Sequence, residues 1–154
     1  MVDCVNGLME WTGKACVTIV YDSTVDEFTH DGLFEKVKGK RNIALIGFTT
    51  DGDVFGGFYS VAVTQQGRDF FDTNIFAFSF ESHGRCETPQ RFLVKEKLKE
   101  YANVMFWEND NGCGFVQFYA DGGYFLLGNE SSYSDCYSMS DGFEGIQDTT
   151  LSGK

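Results

Sequence analysis

Proline occurs once, histidine and tryptophan twice each, and 12 basic residues stand against 23 acidic ones in a chain of 154. Each shortage excludes something. A net charge of −11 removes the basic face that a nucleic-acid binder needs to neutralise phosphates, so only a local patch is left for that task. An anionic membrane surface is disfavoured for the same reason, whereas a basic protein surface or a cation stays acceptable. No apolar run approaches the ~18 residues of a membrane-spanning helix. Met1 to Asn6 carries neither the basic nor the apolar region of an export signal. The chain is therefore expected to be soluble and cytoplasmic, without membrane insertion. Five cysteines, Cys4, Cys16, Cys86, Cys113 and Cys136, are widely spaced with no CxxC, and only His30 and His83 could join them. Neither a zinc site nor a dithiol motif is expected, no cofactor is implied, and the odd count reads as free thiols.

What is abundant is phenylalanine, with 16 residues, and glycine, with 18. Large rigid rings, turn glycines and almost no proline favour an antiparallel β-rich domain, and the length fits one domain over 1–154. The clearest local pattern is Ile43–Tyr59, IALIGFTTDGDVFGGFY. Both faces of Ile43–Phe48 are apolar, as for a strand covered on both sides. Asp51-Gly52 is a hairpin turn signal. Gly56-Gly57, inside the returning strand, points to a bulge or a close approach of other atoms.

In chain order, a short helix is expected over Leu8–Trp11, stopping before Gly13, and a β-branched strand over Ala15–Tyr21 (ACVTIVY). Thr29 or Asp31 caps a helix running to about Lys38. Val61–Val63 extends the second hairpin strand. Phe70-Phe71 reopens an apolar segment, and Ile75–Phe80 alternates with its large rings at 76, 78 and 80 on one face. Glu81–Thr88 reads as a solvent-facing loop. Arg91–Val94 fits a strand while Val94–Ala102 also fits helical spacing. A three-strand meander follows, Val104–Trp107, Gly114–Ala120 and Tyr124–Leu127, with a turn at Asn109–Gly112 and loops at Asn129–Tyr133 and Ser138–Gly142. Two basic groupings, Lys36–Arg41 and Arg85 with Arg91 and Lys95–Lys99, are the candidates for an acidic partner.

Several of these pieces together resemble the TLDc domain, the family of the oxidation-resistance proteins. They are Trp11-Thr12-Gly13-Lys14, Tyr21-Asp22-Ser23 with Phe28, Asp51-Gly52-Asp53-Val54-Phe55-Gly56-Gly57-Phe58, the run Ile75–Phe80, and Gly123–Gly128. Trp11, Gly13, Asp22, Gly52, Phe55, Gly56, Gly57 and Gly128 form its structural fingerprint. The resemblance implies an α+β fold, an antiparallel two-sheet β-sandwich with a few short flanking helices. It also implies a non-enzymatic interaction domain linked to oxidative-stress resistance, in several members through binding the vacuolar proton-pumping ATPase. Two departures stand out. The closing hydrophobic strand typical of the family has no counterpart before Lys154, so the chain is expected either to lack it or to be truncated, leaving oligomeric state open. The glycine-glutamate element before the Phe-rich strand is also missing near Asp69–Thr73.

Two enzymatic or redox alternatives remain. Asp22, at the end of the expected first strand with Thr24 and Asp26 nearby, resembles the nucleophile loop of haloacid-dehalogenase-type phosphatases and, more weakly, a metal-ion-dependent adhesion loop. A metal-dependent hydrolase using Asp22 and Asp26 would need a parallel α/β frame that the rest of the chain does not offer; a turn held by Asp and Ser side chains is the plain alternative. A single exposed thiolate acting as a peroxide sensor is the other.

Overall fold

The computed structural model describes residues 2–108, 114–128 and 135–152. Its elements are helix α1 (Val2–Thr12), helix α2 (His30–Val37), strands β1 (Ile43–Phe48), β2 (Val54–Tyr59), β3 (Phe70–Phe71), β4 (Phe76–Glu81) and β5 (Gln90–Leu93), a 3-10 helix at Glu96–Tyr101, strands β6 (Asn103–Phe106), β7 (Val116–Ala120), β8 (Gly123–Leu127) and β9 (Asp135–Tyr137), and the short helix α3 (Met139–Gly142). All pairings are antiparallel. One sheet runs β1-β2-β4-β5 and the other β3-β6-β7-β8-β9. The architecture is the expected α+β sandwich.

The β1–β2 hairpin divides its side chains between two apolar compartments. Ile43, Leu45, Phe55 and Tyr59 point into the main core, which also takes Val104, Phe106, Val116, Phe118 and Phe125 from the second sheet and Leu33, Phe34 and Val37 from α2. Ala44, Ile46 and Phe58 point the other way and join Phe76, Phe78 and Phe80 of β4 under Leu8 and Trp11 of α1. The first sheet is thus covered on both faces, one by a sheet and one by a helix, which accounts for the apolar character of both faces of β1. Trp11 stacks on Phe80 at 5.4 Å between ring centroids.

The paired glycines serve the two faces separately. A Cβ on Gly57 would stand 2.7 Å from Phe118 Cε2 and from Phe125 Cζ, two rings stacked 4.8 Å apart. On Gly56 it would collide with the Leu45 carbonyl oxygen and approach Phe78 Cζ to 2.8 Å. The bulge lies just before them, between Val54 and Phe55. Gly7 lets α1 settle on the sheet in the same way, with Phe80 Cε1 3.0 Å from where its Cβ would be.

Five expectations need correction. α1 begins at Val2, well before Leu8, and Gly7 lies within it, against Phe80 of the sheet. Ala15–Tyr21 forms no strand, because among the described residues no other strand lies beside it. The second hairpin strand ends at Tyr59 rather than continuing through Val61–Val63. There the chain turns, held by buried Asp72, whose carboxylate accepts from the Ser60 N–H and, at 2.8 Å, from the Ser60 hydroxyl. Ser138–Gly142, expected as a loop, contains α3, whose Met139 N–H donates to Asp148 at 2.6 Å. Glu81–Thr88 is internally bonded rather than simply solvent-facing, with buried Ser82 donating to the Cys86 carbonyl. The ambiguous Arg91–Ala102 segment holds both a strand and a 3-10 helix. Thr29, not Asp31, caps α2, its hydroxyl accepting from Gly32 N–H at 3.0 Å. The expected turn at 109–112 and loop at 129–133 lie outside the described residues.

Candidate functional site

Trp11 and Gly13 end the first helix, Gly13 with φ +68°. Beside them opens a cleft of about 270 Å³. Its floor is apolar, from Phe58, Ile75 and Phe76, and its rim carries Lys14, Arg91 and Lys99 together with Asn42, Ser60 and Asn74. Arg91 is held in place, donating to the Trp11 carbonyl at 2.9 Å with its guanidinium 5.7 Å from the Phe76 ring centre. Lys99 pairs with exposed Glu96 at 2.6 Å, and Lys14 has no ion-pair partner among the described residues. Three cations thus line one cleft beside aromatic side chains, a local positive patch in a chain of net charge −11.

Arg85, which the linear sequence groups with Arg91, lies elsewhere. Its guanidinium pairs at 2.7 Å with Asp53, which is buried and also accepts from His83 Nδ1 at 2.8 Å. Arg85 donates further to the carbonyls of Thr150 (3.3 Å) and Leu151 (2.9 Å), so the cluster ties the hairpin to the C-terminal segment. Burial by itself would raise the Asp53 carboxyl. The bonds from His83 and Arg85 outweigh it and hold the pKa below the ordinary carboxylate value. Gly52, with φ +91°, closes the turn beside the His83 ring, and Phe55 is buried behind it. Gly128 follows the end of β8. Most fingerprint residues thus form two groups, hairpin packing and the neighbourhood of the cleft, with Asp22 and Gly128 apart from both.

Asp22 and Asp26 sit in an exposed loop. Asp22 Oδ1 accepts from the Thr24 N–H (2.9 Å) and hydroxyl (2.7 Å), and Asp26 Oδ2 accepts from the Asp22 N–H at 2.9 Å. Asp26 Oδ1 meets Lys36 at 2.8 Å. The bonds from Thr24 lower the Asp22 pKa, and the bond from Lys36 lowers that of Asp26. Both carboxylates therefore hold a turn of the Asx type. Among the described residues no three His, Cys, Asp or Glu side chains gather around a possible ion. Of the thiols described, Cys16 is exposed, and Cys4, Cys86 and Cys136 are half-buried; Cys113 lies outside the described residues. Burial, reinforced by Asp135 and Asp148, pushes the Cys136 thiol up to about 12. Sequence spacing grouped Arg91 with Lys99 but missed Lys14, which comes from a separate segment. The one available signal was their excess of positive charge near Trp11 and β5.

Fold and cleft together describe a β-sandwich domain with a cation-lined cleft at the junction of its first helix and edge strand. The family model of the TLDc domain matches residues 4–139. The chain belongs to the TLDc domain family. No curated protein and no solved structure matches it. No helix among the described residues is long and apolar enough to cross a membrane.

Proposed function

We propose that the chain is a protein-binding domain acting in resistance to oxidative stress, with a subunit of the vacuolar proton-pumping ATPase as its partner and no catalysis of its own. The match to the TLDc family over 4–139 carries this reading. The cleft supports it: an acidic segment with an apolar side chain finds Arg91 and Lys99 at the rim and Phe58 and Phe76 below. The engagement of Asp22 and Asp26 in their own turn speaks against the hydrolase alternative. The test is affinity capture from a lysate with the whole chain and with Arg91→Glu, read by mass spectrometry at physiological salt. Proton-pump subunits enriched on the native chain and reduced several-fold on the variant are expected; recovery of none on the native chain overturns the reading. Magnesium-dependent turnover of a phosphate ester, lost in Asp22→Asn, would establish the hydrolase instead.

A further inference from the structure

Residues 15–21, Ala-Cys-Val-Thr-Ile-Val-Tyr, are uncharged and rich in β-branched side chains, yet lie in no sheet. None of the main-chain N–H or C=O groups of 14–21 hydrogen-bonds to another described residue. Residues 13–19 are exposed throughout, Ile19 at 73% and Val17 at 46%, while Val20 and Tyr21 touch the main core and fix one end of the segment. A row of free main-chain groups on such a sequence is a template for another strand.

The sequence also specifies which strand fits. In an antiparallel pairing of two copies centred on Thr18, Thr18 faces Thr18, Val17 faces Ile19, Cys16 faces Val20 and Ala15 faces Tyr21. One step further out, Lys14 faces Asp22 of the other copy, and the twofold axis repeats that match at the opposite end. Hydroxyl pairs, β-branched pairs and opposite charges are the cross-strand combinations that stabilise such a ladder. A register shifted by two residues sets Lys14 against an uncharged residue. Lys14 has no ion-pair partner among the described residues, and Asp22 is exposed, its carboxylate bonded to Thr24 but to no cation among the described residues. Repulsion between two chains of net charge −11 acts against association, but it is screened beyond about 8 Å at physiological ionic strength.

We propose that residues 15–21 of two copies pair antiparallel about Thr18, with Lys14 meeting Asp22 of the other copy at each end, making a closed twofold dimer. The proposal does not rest on the partner-binding reading, since this assay involves no second protein, although Lys14 also stands on the rim of the cleft. Sedimentation velocity on the whole chain over a concentration series should show a species of twice 17.3 kDa. Thr18→Pro, which removes a central N–H, and Ile19→Lys should each shift the midpoint of dimerisation at least tenfold upward, and Lys14→Glu should do so more strongly at low salt than at high. In Thr18→Cys, paired Cα atoms about 4.5–5.5 Å apart suit a disulfide, so mild oxidation should give a covalent dimer. In the native chain the two Cys16 residues would lie roughly 13 Å apart along the ladder and should not link. A monomer at every concentration, open-ended aggregates in place of a dimer, or a dimer indifferent to Thr18→Pro and Ile19→Lys would each overturn the proposal. Circular dichroism of the variants, unchanged from the native chain, shows that any loss is not unfolding.

Discussion

Gly57→Ala tests the packing at the centre of the sandwich. The added Cβ falls 2.7 Å from two atoms of Phe118 and from Phe125 Cζ, against an optimum of about 3.5–4.0 Å for carbon pairs. One or both rings must withdraw by roughly 1 Å, yet they are stacked on each other and both are wholly buried. Overpacking of this kind costs about 1–3 kcal/mol. Loss of glycine freedom in the unfolded chain offsets ~0.4–1 kcal/mol of that. A net loss of about 1–2 kcal/mol lowers Tm by roughly 2–8 °C in a domain of this size, measurable by calorimetry or by circular dichroism on heating. Phe118→Leu makes room for the new methyl, so the double variant should be less destabilised than the two singles added together, by at least ~0.5 kcal/mol. Gly56→Ala is the control, because its Cβ meets the Leu45 carbonyl, a main-chain atom that no side-chain trimming moves. An unchanged or higher Tm in Gly57→Ala, or strict additivity with Phe118→Leu, would refute the reasoning.

Three further outcomes are expected. Asp53→Asn should lower stability at pH 7 by about 2–3 kcal/mol, below the ~3–5 for breaking a fully buried pair because Arg85 keeps 26% of its side chain exposed. The Asp53 carboxyl is depressed in the folded chain, so its stabilisation is present above the unfolded value of ~3.9 and fades as pH falls through the folded one; urea titrations of native and variant chains should converge in acid. Tyr59→Phe should raise stability by about 1 kcal/mol, since it removes a wholly buried hydroxyl that has no partner among the described residues; a loss in urea denaturation would reveal a hidden bond. Among the four thiols described, alkylation at pH 8 followed by mass spectrometry should modify exposed Cys16 first and Cys136, with its thiol pushed up to about 12, last.

The hairpin was legible except at its end, where Val61–Val63 does not extend β2. β1 and β2 occupy Ile43–Phe48 and Val54–Tyr59, as the apolar runs and the Asp51-Gly52 turn indicate, because these signals are local and nearest neighbours satisfy them. β4 is displaced by a single residue from Ile75–Phe80. Ala15–Tyr21 shows where such signals fail: a β-branched run states a preference, and only a neighbouring strand converts it into a ladder. The cleft was half legible. Spacing grouped Arg91 with Lys99 correctly, but placed Arg85 beside them when the buried charge of Asp53 draws it into the interior. Charge patterning reads solvated faces and is blind to which cation a buried carboxylate will claim.

The two apolar compartments on either side of the β1-β2-β4-β5 sheet share no residue. The sheet is a partition, and what lies on one side can loosen without the other. α1 closes the outer compartment alone, chiefly through Leu8 and Trp11, whereas α2 and the whole second sheet close the inner one. The chain's two tryptophans fall on either side of this division: Trp11 rests on the aromatic rings under α1, and Trp107 follows β6 in the second sheet. Their fluorescence offers separate views of the layers, one of the helix lifting from its bed and the other of the sandwich coming apart.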